Sequence, residues 1–418
     1  MSDPTVRPTN ARYLMLASFC LAAVIAYMQR NAIAVAAPRI QADLSLSLGT
    51  MGVVMSGYYW TYAFSQLPAG LLGQRFGTRV LLPLCMGCSS LCILAMAFSS
   101  DGTAFGLHWL LAGCLMAGIF PCCIQSFVRW FPPQERAFPS GTLSSAMSVG
   151  GAISTALTGW LLANLADSEW TGWRVTFGLY AVLGLIWAAS FPWWFREHPP
   201  TGTTHVVEVS SEKASAAITL NWWNDFRTLL ICLQQFLRAA GYVFYATWFP
   251  SYLQETRHVS TAEAGVLASL PLLGVVFGGA VGGLAIDVID RWSNSRRMSR
   301  QLVGVLSHLI CGLLIFAAAP IQNATLAVSI ISLGSFAFAL GSACGYAITM
   351  DLGGKHVATL FGTMNMCGNI GAAACPILVG YLVPHTGWHA ILFLFGGLYL
   401  AVALCWAFLD PTPRTVEL

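Results

Sequence analysis

Charge is the property that this sequence has least of. Only 9% of its 418 residues are Asp, Glu, Lys or Arg, whereas soluble proteins carry about 25%. Hydrophobic residues make up 56% of the chain, and the mean hydropathy is +0.68. This composition excludes a soluble globular protein and favours one that is embedded in a lipid bilayer.

Acidic side chains are missing from the interior of the long apolar runs. All seventeen Asp and Glu residues lie between these runs or at their ends. A protein that binds cations or exchanges protons within the membrane needs a carboxylate there, so the absence argues against a drug or cation exporter. The closely spaced cysteines, Cys85 with Cys88 and Cys122 with Cys123, have no neighbouring histidine or carboxylate, which argues against a metal site. We find no nucleophile–base pair and no phosphate-binding loop, so an enzyme is the least expected class.

Twelve apolar runs are long enough to cross a membrane as helices. A membrane-spanning helix needs about 20 residues, and a helix satisfies all its backbone hydrogen bonds within lipid. The predicted fold class is therefore an all-α integral membrane protein with twelve transmembrane helices. The runs are 13–38, 50–72, 79–99, 106–129, 141–165, 173–195, 228–253, 262–286, 301–320, 325–350, 357–383 and 387–409.

The basic residues predict which side of the membrane each loop faces. With the N-terminus in the cytoplasm, fifteen of the twenty Lys and Arg residues fall in cytoplasmic segments and three in outer loops. Cytoplasmic loops of membrane proteins are enriched in basic residues. We therefore expect a multi-pass protein of the cell (inner) membrane with both termini in the cytoplasm. The net charge of +3 follows from this topology and gives no reason to expect a nucleic-acid partner.

The chain divides into two related halves. Residues 196–227 form the longest polar stretch and are predicted to be a cytoplasmic linker. The linker separates an N-terminal six-helix bundle at 1–195 from a C-terminal six-helix bundle at 228–418. Positions in the halves correspond at a nearly constant offset: Gly172 with Gly387, Pro38 with Pro250, and 70–79 with 282–291. Such duplication is typical of transporters whose site lies near the membrane midplane, between the halves.

Two arginines lie deep inside apolar runs, one in each half. Arg30 belongs to the first run and Arg238 to the seventh. A charge in hydrocarbon costs at least about 2.5 kcal/mol, so such residues usually face a watery cavity or a ligand. A guanidinium binds a carboxylate through two parallel hydrogen bonds. The pair predicts a central cavity for a small organic anion, and pairing with backbone carbonyls is the alternative.

Polar side chains recur at helical spacing near these arginines. Three stripes are present, on the first, second and eleventh runs. Amides and phenols bind hydroxyl groups as guanidinium binds carboxylate. The predicted substrate-binding residues are Tyr27, Arg30, Asn31, Tyr59, Tyr62, Gln66, Arg238, Asn365 and Asn369. In membrane helices the same amide and phenol groups often join helices to one another, and that alternative stays open.

Two histidines are candidates for a proton relay. His108 lies near the outer end of the fourth run, and His308 lies in the ninth. Imidazole titrates near neutral pH and can therefore carry protons. The alternative for each is a histidine that is hydrogen-bonded in place.

Several stretches resemble the major facilitator superfamily and, within it, the anion:cation symporter family. The resemblance covers essentially the whole chain. It implies two pseudo-symmetric six-helix halves and alternating access, no cofactor, and a monomer. The stretches that carry it are SGYYWTYAFSQLPAGLLGQRFGTR (56–79), FPCCIQSFVRWFPPQERA (120–137), WRVTFGLYAVLGLIW (173–187), ATWFPSYL (246–253), NMCGNIG (365–371) and GWHAILFLFGGLYLAVALCWAFLDP (387–411).

The resemblance also implies roles for individual residues. Tyr27 and Arg30 match a Tyr-x-x-Arg motif whose arginine binds the substrate carboxylate, and Tyr62 matches an aromatic hydroxyl that faces the substrate. Asn365 and Asn369 match a span-eleven signature in which one asparagine reaches sugar hydroxyls.

Conserved loops of such transporters carry gate residues. Here the loop after the second run holds Arg75 and Arg79, and the corresponding loop of the second half holds Asp287 and Arg291. We predict that these residues latch the cytoplasmic gate.

The sequence departs from the family at the positions that carry protons. Proton-coupled members have an Asp before the first-span arginine, where this chain has Gln29. They have a Glu in the fourth span, where this chain has Met116. The family's usual proton site is therefore missing. Coupling to H+ or Na+, coupling through a histidine, uniport and exchange all remain alternatives.

The expected function is secondary active or facilitative transport of a sugar acid such as a hexuronate or an aldonate. Two rivals share the same fold. One is a drug or cation exporter, and the other is a sensor that binds a solute without moving it.

Overall fold

A computed structural model of the chain describes residues 11–131, 135, 137–165, 172–197, 225–293, 296–353 and 357–410. Thirteen helices and no strand occur in these ranges. The helices are α1 Ala11–Asp43, α2 Leu48–Phe76, α3 Thr78–Ala97, α4 Gly102–Met116, α5 Ile119–Trp130, α6 Ala137–Asn164, α7 Gly172–Trp194, α8 Phe226–Thr247, α9 Phe249–Arg257, α10 Thr261–Ser293, α11 Arg296–Ala318, α12 Ala324–Gly353 and α13 Val357–Phe408. Of the predicted linker, 198–224 lies outside the described residues.

The helices form twelve membrane crossings. Ten segments of the described chain are long and apolar enough to span a bilayer. The 29-residue helix α2 is not among the ten, because its tyrosines and glutamine lower its hydropathy, but its length suffices for a crossing. The 52-residue helix α13 extends about 78 Å at 1.5 Å per residue, more than twice the roughly 30 Å hydrocarbon thickness. Helix α13 therefore crosses twice, which confirms the predicted number.

The turn within α13 lies at Gly387. This residue has φ 74° and ψ 167°, a conformation outside the helical region. Glycine adopts positive φ at no steric cost because it has no Cβ. The Gly-Trp pair that the sequence places at the start of the last apolar run is thus the point where the chain reverses.

Two predicted runs are each broken into two helices. The fourth run breaks between α4 and α5, three residues before Pro121, and the seventh breaks between α8 and α9, two residues before Pro250. A proline lacks the N–H of a helical hydrogen bond, and its ring collides with the carbonyl four residues earlier. The two interruptions therefore follow from the prolines, although hydropathy alone predicts continuous helices.

Glu197 joins three helix ends on the side of the membrane where α7 ends and α8 begins, which we call the linker side. Its carboxylate accepts the backbone N–H groups of Thr78 and Arg79 at 3.0 Å each, at the start of α3. It also pairs with the guanidinium of Arg129 at the end of α5. A carboxylate at a helix N-terminus is stabilised by the helix dipole.

The two halves pack closely on the opposite side of the membrane, which we call the far side. A Cβ on Gly52 of α2 would lie 2.4 Å from the Pro376 carbonyl oxygen of α13, and one on Gly265 of α10 would lie 2.4 Å from the Thr155 carbonyl oxygen of α6. Ser56 also donates a hydrogen bond to the Ala373 carbonyl at 2.6 Å. Small residues allow this approach of membrane helices, so glycines bring the halves together on the far side.

We predict that Gly265→Ala lowers the melting temperature of the purified protein, because the added methyl group collides with the α6 backbone. Overpacking of this kind costs about 1–3 kcal/mol. Gly178→Ala is the matched control, since no atom lies within 4 Å of a Cβ at Gly178. Equal melting temperatures for the two variants would contradict the close contact between the halves.

Candidate functional site

Arg30 lies among four tyrosine rings that come from α1 and α2. We call these rings the tyrosine cage: Tyr27, Tyr58, Tyr59 and Tyr62. The guanidinium carbon lies 5.0 Å from the ring centre of Tyr27, 5.5 Å from Tyr58, 4.7 Å from Tyr59 and 5.9 Å from Tyr62. A cation over an aromatic face gains about 0.5–2 kcal/mol, most where water is excluded. The cage therefore stabilises a positive charge at this depth with neutral groups.

The charge of Arg30 has no counter-ion among the described residues. The ion pairs of the described chain involve other arginines. By sequence, α2, α4, α5, α8 and α13 contain no acidic residue, and α1 has only Asp43, at its last position. The Nε atom of Arg30 is buried and lacks a hydrogen-bond partner. A buried donor without an acceptor is costly, so the site is suited to an anionic ligand that supplies both acceptor and charge.

Arg238 is held on the C-terminal half by neutral groups. Its Nε and Nη2 atoms donate to Oε1 of Gln235 at 3.1 and 2.9 Å, and Nη1 donates to Oγ of Ser342 at 3.3 Å. Gln235 fits against α13 at Gly368, where a Cβ would lie 3.0 Å from its side chain. These contacts fix the position of the guanidinium without neutralising it. The guanidinium of Arg238 is thus a second positive charge that is held in place by neutral side chains and has no counter-ion among the described ion pairs.

Tyr242 connects the helix of Arg238 to the tyrosine cage. It lies one turn after Arg238 on α8 and is within electrostatic range of Tyr27, Arg30 and Tyr59. The α8 face that carries Arg238 is therefore directed toward the cage on the other half.

Gln66 and Asn369 meet across the two halves. Nδ2 of Asn369 on α13 donates to Oε1 of Gln66 on α2 at 3.4 Å. This distance is long for an N–H···O bond, whose usual range is about 2.7–3.2 Å. Asn365 lies one turn before Asn369 on α13. A weak amide contact between halves can be exchanged for hydrogen bonds to a polar ligand.

Asn31 is directed away from the cage although it shares a predicted face with Arg30. Its side chain is buried, and its Nδ2 atom lies 2.4 Å from the position of a Cβ on Gly151 of α6. The same nitrogen has no hydrogen-bond partner. The structure therefore places Asn31 at the packing surface between α1 and α6, beside the site and outside the cage.

Gln29 packs away from the cage. Its Nε2 atom donates to Oγ of Ser90 on α3 and to the Tyr180 carbonyl on α7, at 2.9 Å each. The amide therefore joins three helices of the N-terminal half.

Met116 lies directly behind the cage. Its sulfur accepts a hydrogen bond from the hydroxyl of Tyr58 at 3.0 Å, and the ring of Tyr58 lies against Arg30. A neutral thioether thus occupies a place that is one ring away from the buried guanidinium.

The two histidines lie apart from the cage. Nδ1 of His108 is 3.2 Å from Oγ of Ser99, at the far-side ends of α3 and α4. His308 is fully buried between helices of the C-terminal half, and its Nδ1 lies 2.7 Å from the Gly304 carbonyl. That contact requires a proton on Nδ1, which leaves Nε2 as an acceptor without a partner in the described structure. A proton-relay role for either histidine remains a prediction.

The gate residues are described only in part. Arg79 donates from Nε and Nη2 to the Pro192 carbonyl at 3.2 and 2.9 Å, so it is tied to α7 of its own half. The guanidinium of Arg75 lies against the ring of Phe76. The side chains of Asp287 and Arg291 lie outside the described residues. A latch between the halves remains a prediction.

Comparison with known proteins gives consistent matches over nearly the whole chain. The family model of the Major Facilitator Superfamily matches residues 19–374 and 231–418. The chain is 30% identical to a hexuronate transporter of Bacillus subtilis, over 90% of this chain and 89% of that protein. It is 28% identical to a probable sulfoacetate transporter of Cupriavidus necator, over 96% and 94% of the two chains. It shares its fold with a D-xylose-proton symporter of known structure, with a TM-score of 0.76 at 13% identity over 96% of this chain and 98% of the other.

Sequence reasoning missed two members of the site, Tyr58 and Tyr242. Tyr58 lies four positions before Tyr62, and Tyr242 lies four positions after Arg238, so both share a helical face with a predicted residue. Helical spacing could have identified both tyrosines if each row of polar residues had been followed for one more turn of the helix.

We predict that Gln29→Met lowers thermal stability but leaves the binding of small organic anions unchanged. The substitution removes both hydrogen bonds to Ser90 and Tyr180 and leaves buried partners unsatisfied, which costs about 1–3 kcal/mol. Melting curves and binding titrations on the purified variant would measure the two effects separately. Loss of anion binding in a folded variant would show that Gln29 acts on the site.

Proposed function

The chain belongs to the Major Facilitator Superfamily, a family of membrane transporters and not of enzymes, and we propose that it transports a small organic anion. The observation that carries this proposal is Arg30, a half-buried arginine whose Nε atom is buried, among four tyrosine rings and with no described counter-ion. The proposed substrates are sugar acids such as hexuronates and aldonates, and related carboxylates or sulfonates.

Similar proteins support an anionic substrate. The names of two relatives specify a hexuronate and a sulfoacetate as the transported solutes. Both solutes carry an acidic group that a guanidinium can bind through paired hydrogen bonds. Because the bacterial relatives include transporters of this kind, we also propose the inner membrane as the location, with both termini in the cytoplasm.

We propose that the substrate carboxylate binds Arg30 and displaces the aromatic contacts on one side. The polar groups of the cage and the amides of Gln66 and Asn369 then bind the hydroxyl groups of a sugar acid. Arg238 lies on the opposite half and can receive a second acidic group or a polar end of the substrate. A ligand held by both halves would favour their closure around it.

Alternating access fits the pattern of contacts. The halves meet on the far side through glycines, and the Gln66–Asn369 bond joins them farther toward the linker side. Rocking of one half against the other would open the far side and close the linker side. Substrate binding supports this motion because it neutralises buried charge before the cavity closes.

The rival functions differ in what they require. A cation or drug exporter needs a carboxylate within the membrane, and the helices around the cage contain none by sequence. A sensor would bind the anion without moving it, so a measurement of flux separates the two.

We predict that Arg30→Gln abolishes thermal stabilisation by sugar acids. A ligand that binds only the folded protein raises its melting temperature, and loss of one partner of a buried charged contact costs about 2–5 kcal/mol. The panel comprises D-glucuronate, D-galactonate, galactarate and sulfoacetate, together with glucose and galactose as neutral sugars.

Arg39→Gln is the matched control for this experiment. The substituted arginine lies on the same helix as Arg30, about two and a half turns nearer the end of α1. The response of this variant to the acids should equal that of the unmodified protein. Stabilisation by the neutral sugars, or an undiminished response in Arg30→Gln, would contradict the anion site.

We predict that Arg238→Gln discriminates between anions that carry one and two negative charges. The variant should lose at least about tenfold of its affinity for galactarate or sulfoacetate, since a buried charged contact is worth about 2–5 kcal/mol. Its affinity for D-galactonate should change much less. Titration of each acid would measure the ratio, and an equal loss for all acids would show that Arg238 does not bind the second acidic group.

A further inference from the structure

We infer that this protein exchanges anions across the membrane and that its unloaded form changes conformation slowly. The inference rests on the proposed function and adds the mode of coupling. It follows from the lack, among the described residues, of a group at the site that can neutralise Arg30 when the substrate has left.

The positive charge of the site is permanent. A guanidinium does not lose its proton in proteins, and Arg30 and Arg238 therefore stay charged in every state. Neither has an ion pair in the described structure. Closing the halves around an empty site would remove water from these charges and leave only neutral groups around them. Enclosure of an uncompensated charge in the membrane is costly, so the empty protein meets a barrier that the loaded protein does not.

Among the residues that the structure describes, none near the cage can supply negative charge at neutral pH. The cage tyrosines and Tyr242 are phenols, which ordinarily ionise near pH 10. The helices that contribute to the site, α1, α2, α4, α8 and α13, have no acidic residue by sequence except Asp43 at the end of α1. His308 lies within electrostatic range of Arg238, but protonation of imidazole would add a further positive charge. The described titratable groups therefore cannot replace the substrate as a counter-ion.

A bound cation cannot compensate the positive charges of Arg30 and Arg238 either. Sodium or a proton would need an acceptor at the site, and two fixed guanidinium groups repel an added positive charge. The remaining source of negative charge is a second anion. After release of the substrate, the site can therefore turn back to the first side of the membrane only when another anion enters it from the side of release.

Met116 marks the place where this constraint could be removed. Its sulfur accepts the hydrogen bond of the Tyr58 hydroxyl at 3.0 Å, and the Tyr58 ring centre lies 5.5 Å from the Arg30 guanidinium. A carboxylate at position 116 would therefore lie one tyrosine ring away from Arg30 and would place a negative charge beside the cage. It would compensate the guanidinium when the site is empty and could be protonated when an anion arrives. Replacement of this one residue by an acidic residue should therefore allow the empty protein to reorient, which would permit net transport in addition to exchange.

The test uses the full-length protein in liposomes loaded with labelled anion. The probes are D-glucuronate, D-galactonate, galactarate and sulfoacetate, and each is measured in two conditions. In the first, the outer solution contains the same unlabelled anion, and in the second it contains none. The membrane potential is clamped so that charge movement does not limit net efflux. We expect efflux with anion outside to be at least about tenfold faster, because only the loaded protein avoids the barrier of enclosing an uncompensated charge. A tenfold difference corresponds to about 1.4 kcal/mol of barrier.

Met116→Glu and Met116→Gln form the matched pair of variants. Glu and Gln are similar in size to each other, and both can accept the hydrogen bond of the Tyr58 hydroxyl, but only Glu adds a carboxylate. We expect Met116→Glu to raise net efflux toward the exchange rate and Met116→Gln to keep the tenfold difference. Melting temperatures verify that each variant is folded.

The outcomes separate the two proposals. Equal rates of exchange and net efflux in the unmodified protein would overturn the inference and leave anion transport in place. An equal effect of Glu and Gln would also overturn it, because the charge at position 116 would then not matter. No efflux of any probe in either condition would overturn the proposed function itself.

Discussion

The site depends on a positive charge that the protein cannot neutralise by itself. Arg30 is surrounded by four tyrosine rings, which stabilise a cation without providing a counter-ion. The positions behind and beside it hold a thioether and an amide, and the amide of Gln29 is engaged with other helices. Within the described structure, the charge is thus retained at the place where the two halves face each other. An anionic solute completes this arrangement, and its departure restores the imbalance.

The contacts between the two halves are suited to expose Arg30 first to one side of the membrane and then to the other. Glycines on α2, α6, α10 and α13 permit close contact between the halves on the far side. Ser56 donates a hydrogen bond to the Ala373 carbonyl there, and a long hydrogen bond between the amides of Gln66 and Asn369 joins the halves nearer the linker side. The hydrogen bond between Gln66 and Asn369 is long and therefore weak, so it can be broken at low cost when the halves separate there. The proline-induced breaks after α4 and α8 divide two crossings into segments. They provide points at which these helices can bend.

Much of this was accessible from the sequence, because lipid imposes simple rules on helices. Hydropathy and length predicted twelve crossings, and the repeated Gly-Trp pair located the reversal at Gly387. Helical spacing identified Arg30 with three rings of its cage. Two kinds of detail were not accessible from hydropathy and helical spacing alone, although the prolines mark where two of the crossings can bend. The breaks near Pro121 and Pro250 depend on local backbone collisions that hydropathy does not register. The rotation of each helix decides which residues of a stripe face the site, so Asn31 turned to α6 while Tyr58 and Tyr242 joined the cage region.

The most direct test of the account is a structure of the protein with galactarate or D-glucuronate bound. The account predicts a carboxylate within hydrogen-bonding distance of the Arg30 guanidinium, with ligand hydroxyls near Gln66 and Asn369 and the distal end toward Arg238. The Nε atom of Arg30, which has no hydrogen-bond partner in the described structure, should then have one. A ligand bound elsewhere, with Arg30 still enclosed by the four rings and without an anionic partner, would contradict the central claim.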